Sequence, residues 1–337
     1  MYMVTLQGTQ EQFECKKGEP ILRAGLRAGF GLPYECSVGG CGTCKFDVLE
    51  GQVEMLWPEA PGLSDRDKRK GRMLACQAVP LEDCIIKMRL DKECIPPVLP
   101  VNRSVGLIER YKITHDIEAF RFKSEGPAIF KAGQYALLTS PKIEGARAYS
   151  MSNLSNDEGI WEFQIRNVPE GLMTRHLFDQ INIGDKLELD GPYGVAFFKN
   201  TGRDVVCVAG GSGLAPMVSI AKAFSEDPAC KEHTLHFLYG ARTPSDVCGE
   251  DMLQELAGFG DRIFYHAIVS NPETLTQDEW DGPVGLVHTH IYDVLDGNLQ
   301  EYEYYFAGPP KMATAIDTLL LEKYDVASSQ LHYDRFF

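Results

Sequence analysis

The chain has 337 residues, a length that predicts two or three domains, and its hydrophobic fraction of 44% is ordinary for globular domains. A formal net charge of −15 argues against nucleic acid or an anionic membrane as a partner. No apolar run is long enough to span a bilayer, and the N-terminus lacks the charged region and apolar core of a signal peptide. We therefore expect a cytoplasmic protein with no membrane partner.

Residues 1–96 are predicted to form a small α+β domain. A hairpin is indicated at Met3–Leu6 and Gln12–Cys15, and a helix is expected from Pro20, because proline is favoured in the first helical turn. Ser64 is a predicted N-cap of a short charged helix. A linker with three prolines in five residues follows the domain, since proline lacks an amide hydrogen and stiffens the chain.

Four cysteines of the first domain have the plant-type ligand spacing of a [2Fe–2S] cluster. Cys36, Cys41 and Cys44 are separated by four and two residues, and Cys76 follows after thirty-one. Glycines between them permit backbone conformations that let three thiolates point at one small cluster. A zinc site or a disulfide pair is an alternative, but zinc sites usually contain two Cys-x2-Cys pairs and this chain has one. The spacing therefore favours an iron–sulfur cluster.

Residues 101–199 contain short predicted strands at regular spacing with turn residues between them, which indicates an antiparallel β-barrel. The fourth strand region contains Arg147, Tyr149 and Ser150. An arginine can grip a phosphate with a planar fork of donors, and a tyrosine can lie on a flavin ring, although alone such a pair is more often surface chemistry. The predicted strands are Ser104–Lys112, Ile117–Lys123, Tyr135–Thr139, Ala148–Met151, Trp161–Arg166 and Lys186–Asp190, with a helical stretch at Thr174–Gln180.

Residues 203–337 alternate between predicted strands and helices, which predicts a doubly wound parallel sheet. The apolar run Asp204–Ala209 is typical of a buried parallel strand. The glycine-rich turn Gly210–Pro216 follows it and precedes a helix, an arrangement that lets backbone amides approach a pyrophosphate. Further strands are predicted at Thr234–Tyr239, Ile263–Val269 and Tyr304–Ala307, and further helices at Gly249–Ala257 and Met312–Glu322.

In this order, the cysteine loop, the barrel motif and the glycine-rich turn resemble the three-domain, NADH-dependent reductases that serve bacterial oxygenases. The resemblance covers essentially the whole chain, and the segments 49–63 and 332–337 are most similar to the reductase components of toluene-type diiron monooxygenases. It implies a multidomain fold, namely a ferredoxin-like β-grasp domain (1–96), an FAD-binding antiparallel β-barrel (101–199) and an NADH-binding α/β domain (203–337).

The resemblance also implies roles for individual residues. Arg147 would hold the FAD pyrophosphate, while Tyr149 and Ser150 would contact the isoalloxazine, with Ser150 near N5. Asp334 and Phe336, with Phe337, would lie near the flavin and share the catalytic role with Ser150. The ligands of the [2Fe–2S] cluster would be Cys36, Cys41, Cys44 and Cys76. The other implied cofactor contacts are Arg166, Gly171 and Thr174 for FAD, and Gly210, Gly211, Gly213, Pro216, Gly240, Arg242, Asp246, Gly308 and Met312 for NADH.

One residue departs from the family pattern. Ala307 stands before Gly308, where the family usually has cysteine. This removes any thiol contribution to hydride transfer, while NADH binding is still expected. NADH is expected to be preferred over NADPH because, apart from Arg262, only Arg242 is basic between the second strand of this domain and Lys311.

The implied function follows from electron counting. NADH gives up two electrons together and a [2Fe–2S] cluster accepts one, so FAD must act between them. The expected route is NADH to FAD to cluster to an oxygenase, most consistent with a diiron monooxygenase of aromatic hydrocarbon catabolism. One alternative is a reductase for a Rieske dioxygenase or a deoxysugar dehydrase, and another is an electron-storage or redox-sensing protein.

Overall fold

The computed structural model describes residues 1–271 and 280–336, and its N-terminal part contains a mixed five-stranded sheet. Strand Tyr2–Leu6 (β1) pairs antiparallel with Gln12–Cys15 (β2), which confirms the predicted hairpin. The Ser64 hydroxyl accepts a hydrogen bond from the Asp67 amide, which confirms the predicted N-cap. The other elements of this part are α1 (Ile21–Arg27), β3 (Lys45–Glu50), β4 (Val53–Met55), α2 (Asp65–Arg69), β5 (Met73–Leu74), β6 (Ala78–Pro80) and β7 (Cys84–Lys87).

The strand order in this sheet is β2-β1-β7-β3-β5, and β4 and β6 form a separate pair. The cysteine loop runs from the end of α1 to the start of β3. The Ala75 amide donates to the Cys44 carbonyl at 2.9 Å, and the Ala75 carbonyl accepts from the Leu22 amide at 2.9 Å. These bonds bring Cys76, which is distant in sequence, to the loop that contains the other three cysteines.

A six-stranded antiparallel barrel follows, in the order β11-β10-β13-β8-β9-β12. An isolated bridge between Met151 and Phe163 joins its first and last strands and nearly closes it. Buried aromatic side chains such as Phe120, Phe122 and Trp161 fill its core. All six strand predictions are confirmed. The elements are β8 (Val101–Lys112), β9 (Ile117–Ser124), β10 (Tyr135–Thr139), β11 (Arg147–Ser150), β12 (Ile160–Arg166), α3 (Leu172–Arg175) and β13 (Lys186–Tyr193), with one π-helical turn at His176–Gln180.

The C-terminal part is a five-stranded parallel sheet with buried apolar clusters on both faces. Its strands are β14 (Asp204–Gly210), β15 (Leu235–Ala241), β16 (Ile263–Val269), β17 (Tyr302–Gly308) and β18 (Leu331–Arg335), in the order β16-β15-β14-β17-β18. Its helices are α4 (Leu214–Glu226), α5 (Glu250–Gln254), α6 (Ile291–Val294) and α7 (Pro310–Thr318). Short 3₁₀ or π turns lie at Lys92–Cys94, Gly211–Gly213, Pro228–Cys230, Pro244–Asp246, Val287–His290, Leu299–Glu301, Leu319–Lys323 and Ser328–Gln330.

The last strand, β18, was not predicted from the sequence pattern. It pairs parallel with β17, so that Asp334 lies opposite Ala307 and Arg335 opposite Gly308. From β14 the chain adds strands first on one side of the sheet (β15 and β16) and then on the other side (β17 and β18). In doubly wound sheets, ligands bind near such a switch point, at the carboxyl ends of the strands. Strand β18 therefore brings the C-terminus to this edge.

The first sheet and the barrel are joined by polar contacts. Arg23 and Arg27 of α1 lie 3.7 and 3.6 Å from the buried carboxylate of Asp190 on β13. The Gly194 amide donates to the Tyr34 hydroxyl at 2.9 Å. The predicted domain bounds stay predictions. Within the described residues, no helix has the length and apolar character needed to cross a membrane.

Candidate active site

The cysteine loop directs backbone amides at its own sulfur atoms. The Cys36 Sγ accepts from the amides of Gly40 (3.3 Å) and Cys41 (3.4 Å), and the Cys41 Sγ accepts from the Thr43 amide (3.5 Å). Gly42 has φ +78°, and a Cβ there would lie 2.4 Å from the Gly62 carbonyl oxygen, so only glycine fits. Amide donors around sulfur ligands tune the redox potential of an iron–sulfur cluster.

The four cysteines of the loop region approach one another as two pairs. A hydrogen bond from the Cys36 thiol lowers the pKa of Cys41 to about 5, and one from Cys76 lowers the pKa of Cys44. All ten cysteines are free thiols, so the disulfide alternative does not hold. In each pair the pKa of the donating thiol, Cys36 or Cys76, is raised by the same hydrogen bond. Two adjacent pairs of sulfur atoms fit two iron ions, which is the donor set of a [2Fe–2S] cluster.

A cavity of about 520 Å³ lies where the first sheet, the barrel and the parallel sheet meet. Its volume is in the range of ligand pockets. It brings together Cys36 and most of the predicted flavin residues. The lining includes Arg147, Tyr149, Ser150, Arg166, Gly171 and Thr174 from the barrel, Gly210 and Gly211 from the glycine-rich turn, Asp334 and Phe336 from the C-terminus, and Glu35, Tyr135 and Gln164.

Several lining groups have unused polar capacity, which is the property expected of a flavin site. The exposed guanidinium of Arg147 bonds only to the Ala146 carbonyl (3.0 Å) among the described residues, so its charge is available to a phosphate. The buried Oε1 of Gln164 has no hydrogen-bond partner within the described part of the chain. Burial also raises the pKa of Tyr149, which keeps its hydroxyl neutral beside the cavity. These side chains fit FAD.

The second flavin motif is held by internal contacts. The Thr174 hydroxyl donates to the carbonyls of Val168 and Gly171, each at 3.0 Å, and so fixes the turn before α3. A single carboxylate oxygen of Asp116 lies 2.6 Å from both Nε and Nη2 of Arg166. Asp116 was not predicted from the sequence, because its partner is fifty positions away and nothing local marks the pairing. The flavin role of Arg166 stays a prediction.

The glycines of the parallel sheet serve close packing as well as the cavity. A Cβ on Gly213 would lie 2.0 Å from the Ala307 carbonyl oxygen, so this glycine lets the turn pack on β17. A Cβ on Gly210 or Gly308 would lie 2.7 or 2.8 Å from the side chain of Met312, which packs between them. The cavity lining contains Gly210 and Gly211, whereas it does not include Gly213, Pro216, Gly308 or Met312.

The predicted adenosine-side residues lie at an adjoining small depression of about 30 Å³, which Gly240, Arg242 and Asp246 line together with Asp116 and Arg166. The Arg242 guanidinium lies 3.6 Å from Asp246 and 3.8 Å from Asp116. Asp246 is held in turn by the Thr243 amide (3.0 Å) and hydroxyl (2.9 Å). Two carboxylates therefore lie near Arg242, of which Asp116 is paired more closely with Arg166.

Comparison with known proteins decides the family. Residues 4–81 match the 2Fe-2S iron-sulfur cluster binding domain, residues 104–198 the oxidoreductase FAD-binding domain, and residues 207–318 the oxidoreductase NAD-binding domain. The chain is 40% identical to ferredoxin–NAD(P)+ reductase CarAd of Metapseudomonas resinovorans, over 100% of both chains. The chain belongs to the three-domain ferredoxin–NAD(P)+ reductases of oxygenase systems. It is an NADH-dependent oxidoreductase with a [2Fe–2S] cluster and FAD, as the resemblance implied.

Two further relatives of this reductase support the assignment. The xylene/toluene monooxygenase electron transfer component XylA of Pseudomonas putida is 32% identical over 99% of this chain and 93% of its own length. The solved structure of the ferredoxin reductase in carbazole 1,9a-dioxygenase superposes with a TM-score of 0.90 at 36% identity, covering 100% of this chain and 98% of that one. The multidomain fold predicted from the sequence is confirmed.

The C-terminus of the reductase places a buried carboxyl group on the cavity. Burial, and then the nearby charge of Glu35, raises the pKa of Asp334 to about 7. A carboxyl group with this pKa can hold or release a proton near neutral pH. The Phe336 amide donates to the Gly308 carbonyl at 3.1 Å, which fixes its position at the cavity. Phe337 lies outside the described residues.

The carboxylates around Arg242 strengthen the expectation that the reductase prefers NADH. A 2′-phosphate adds about 1.5 to 2 negative charges. Repulsion between this phosphate and the carboxylates near Arg242 should cost on the order of 1.4 kcal/mol or more. We therefore expect kcat/KM for NADH to exceed that for NADPH by about tenfold or more. Asp246→Asn, which retains one oxygen acceptor for Thr243, should narrow this ratio in steady-state kinetics. Glu250→Gln, on the exposed start of α5, is the control. Equal efficiency with both nucleotides in the unaltered protein would contradict the expectation.

Proposed function

We propose that this reductase supplies electrons to the hydroxylase component of a diiron monooxygenase that acts on an aromatic or other hydrocarbon. The observation that supports the electron-transfer route is one cavity, which is lined by residues of the barrel motif and the glycine-rich turn and by the predicted cluster ligand Cys36. FAD, when bound, takes up the two electrons of a hydride and passes them on singly, as a one-electron cluster requires. Relatives named as xylene/toluene and phenol monooxygenase reductase components support the choice of partner.

In this proposal each wall of the cavity has one task. Arg147 and the turn before α3 bind the flavin phosphates, and Tyr149 and Ser150 contact the isoalloxazine, where Ser150 can donate a hydrogen bond. The amides of Gly210 and Gly211 approach the nicotinamide nucleotide at the carboxyl end of β14. Phe336 covers the flavin and excludes water. The carboxyl group of Asp334 takes up or releases a proton in the cavity.

The surface of the cluster loop that points away from the cavity is the proposed docking face. Cys41 is partly exposed and Thr43 is exposed, whereas Cys36 is buried beside the cavity. The neighbouring segment 65–72 contains five basic and two acidic residues. Of these acids, Asp67 is paired with Lys45 (2.8 Å) and Arg72 (3.2 Å). The segment therefore presents net positive charge beside the cluster, which fits an acidic acceptor surface.

Changing Lys68, Arg69 and Lys70 together to glutamate should slow electron transfer to the oxygenase and leave NADH–ferricyanide activity unchanged. Electrostatic steering accelerates association by roughly 10- to 1,000-fold and weakens with salt, so the loss should be largest at low ionic strength. Lys16, Lys17 and Lys123 are exposed and provide a matched triple change. The first two lie just after β2, at the sheet edge opposite β5, and the third lies on the barrel strand β9. Wild-type oxygenase turnover by the first triple variant at low salt would show that docking occurs elsewhere.

The partner itself is tested by reconstitution. Purified reductase is combined with NADH and a panel of oxygenase components, and product formation per NADH is measured. Coupled turnover with a diiron hydroxylase supports the proposal. A second candidate is a dioxygenase system reached through a separate ferredoxin, which the similarity to the reductase in carbazole 1,9a-dioxygenase favours. Turnover only when a separate ferredoxin and a dioxygenase are both added would replace the first proposal by the second.

A further inference from the structure

One tyrosine of the barrel touches both neighbours of a cluster ligand. Tyr135 lies on β10 and its side chain is buried. Its hydroxyl donates to the Glu35 carbonyl at 2.6 Å and lies 2.7 Å from the Ser37 hydroxyl. Because the phenol proton is directed to Glu35, the Ser37 hydroxyl donates to the phenol oxygen. The two bonds therefore enclose Cys36, which stands between these residues in sequence.

The backbone at Ser37 has a conformation that needs such support. Ser37 has φ +56°, in the left-handed region that few residues with a side chain adopt. Ser37 is 3% exposed, so water does not replace Tyr135 as the acceptor of the hydrogen bond from the Ser37 hydroxyl. The bond to Tyr135 thus stabilises the turn that directs the Cys36 thiol toward the cavity.

The same tyrosine belongs to the flavin wall. Tyr135 lines the cavity together with Cys36, and on the adjacent strand β11 its register partner is Ser150. Among the described residues of the barrel that line the cavity, no other one donates a hydrogen bond to the segment 35–37. Movement of the β10 strand or of the cluster loop would therefore be transmitted directly between the flavin wall and the cysteine ligand.

We propose that Tyr135 is a positioning residue that fixes Cys36, and with it the cluster, against the flavin cavity and so sets the rate of transfer from FAD to the cluster. The inference rests on the proposed roles of Cys36 and of the cavity. It concerns the step inside the reductase and is independent of the identity of the oxygenase.

The chain offers a matched control in Tyr34. Its hydroxyl also joins the first sheet to the barrel, by accepting from the Gly194 amide at 2.9 Å, and its side chain is equally buried at 4% exposure. Tyr34→Phe removes a buried bond between the same two parts of the molecule without releasing either neighbour of Cys36. Tyr135→Phe removes both bonds that enclose Cys36 and keeps the aromatic ring.

The test uses the holoprotein with NADH and no oxygenase. In rapid-mixing absorbance measurements, Tyr135→Phe should lower the rate of cluster reduction relative to the rate of flavin reduction in the same sample by roughly ten- to hundredfold, since small misplacements of reacting groups have effects of this size. Hydrogen–deuterium exchange of the segment 36–41 should rise in Tyr135→Phe, whereas both readouts should stay near wild type in Tyr34→Phe. Ser37→Ala, which loses one of the two bonds, should give an intermediate rate.

Several outcomes would overturn the proposal. Cluster reduction at the wild-type rate in Tyr135→Phe and Ser37→Ala would remove the positioning role. If Tyr34→Phe and Tyr135→Phe slow cluster reduction equally, the rate depends on general contact between the first sheet and the barrel and not on the two bonds that enclose Cys36. If Tyr135→Phe does not retain its cluster, the Ser37→Ala rate decides. Failure of NADH to reduce the cluster in the unaltered protein would instead contradict the proposed function.

Discussion

Cys41→Ser is expected to abolish NADH-dependent reduction of cytochrome c, an acceptor that takes electrons through the cluster, while NADH–ferricyanide activity is retained. The reason is that Cys41 is one of the four predicted sulfur ligands, and a hydroxyl in its place does not supply the fourth thiolate that a [2Fe–2S] cluster of this type needs. The flavin and nucleotide residues lie on other elements and should function without the cluster.

The measurement is iron and flavin content together with both activities. The unaltered protein should contain about two irons and one flavin per chain, and the variant should lose iron and keep flavin. Cys84→Ser, which changes a buried thiol of the same sheet outside the cluster loop, is the control. Loss of the ferricyanide activity together with the cytochrome c activity would contradict the separation of the two functions.

Arg147→Ala should yield protein with an intact cluster and depleted FAD. A hydrogen bond to a charged group contributes about 1.5–3 kcal/mol, so FAD should bind roughly ten- to a hundredfold more weakly. Arg147→Lys retains the charge and loses the planar fork of donors, so it should show an intermediate affinity. Gel filtration followed by absorbance of bound flavin measures the occupancy.

The control for this change is Arg175→Ala on α3, because Arg175 is exposed, belongs to the same barrel and is not part of the cavity lining. It should retain its flavin. Full FAD occupancy of Arg147→Ala after gel filtration would exclude the phosphate-binding role.

Local patterns in the sequence were sufficient to predict most of the fold. The cysteine spacing predicted a [2Fe–2S] domain, which the match to that domain family confirms, because few small sites need three thiolates on one short loop; the individual ligands stay a prediction. The barrel strands were predicted because turn residues separate them at regular intervals. Strand β18 was missed, since its five residues alternate weakly and pair only with the distant β17.

The residues that line the cavity were predictable where they belong to a recognisable local motif. They were not predictable where their role depends on a contact between segments that are distant in the sequence. Asp116 lies in the turn between β8 and β9, and Tyr135 lies in an ordinary strand sequence. Their importance depends on Arg166, Arg242 and the segment 35–37, which only the folded chain brings near. Conversely, Gly213 has a motif position, yet the Ala307 carbonyl is what requires a glycine there. A sequence motif therefore predicts which loop forms the site more reliably than it predicts the contact that each residue makes.

We infer that electrons from NADH reach the cluster only through the flavin. The most direct measurement is reduction of the cluster by NADH, followed anaerobically by its electron paramagnetic resonance signal, in protein from which FAD has been removed. We predict that the cluster stays oxidised with NADH, is reduced by dithionite, and regains NADH-dependent reduction when FAD is restored. Reduction of the cluster by NADH in the flavin-free protein would show that electrons bypass the flavin.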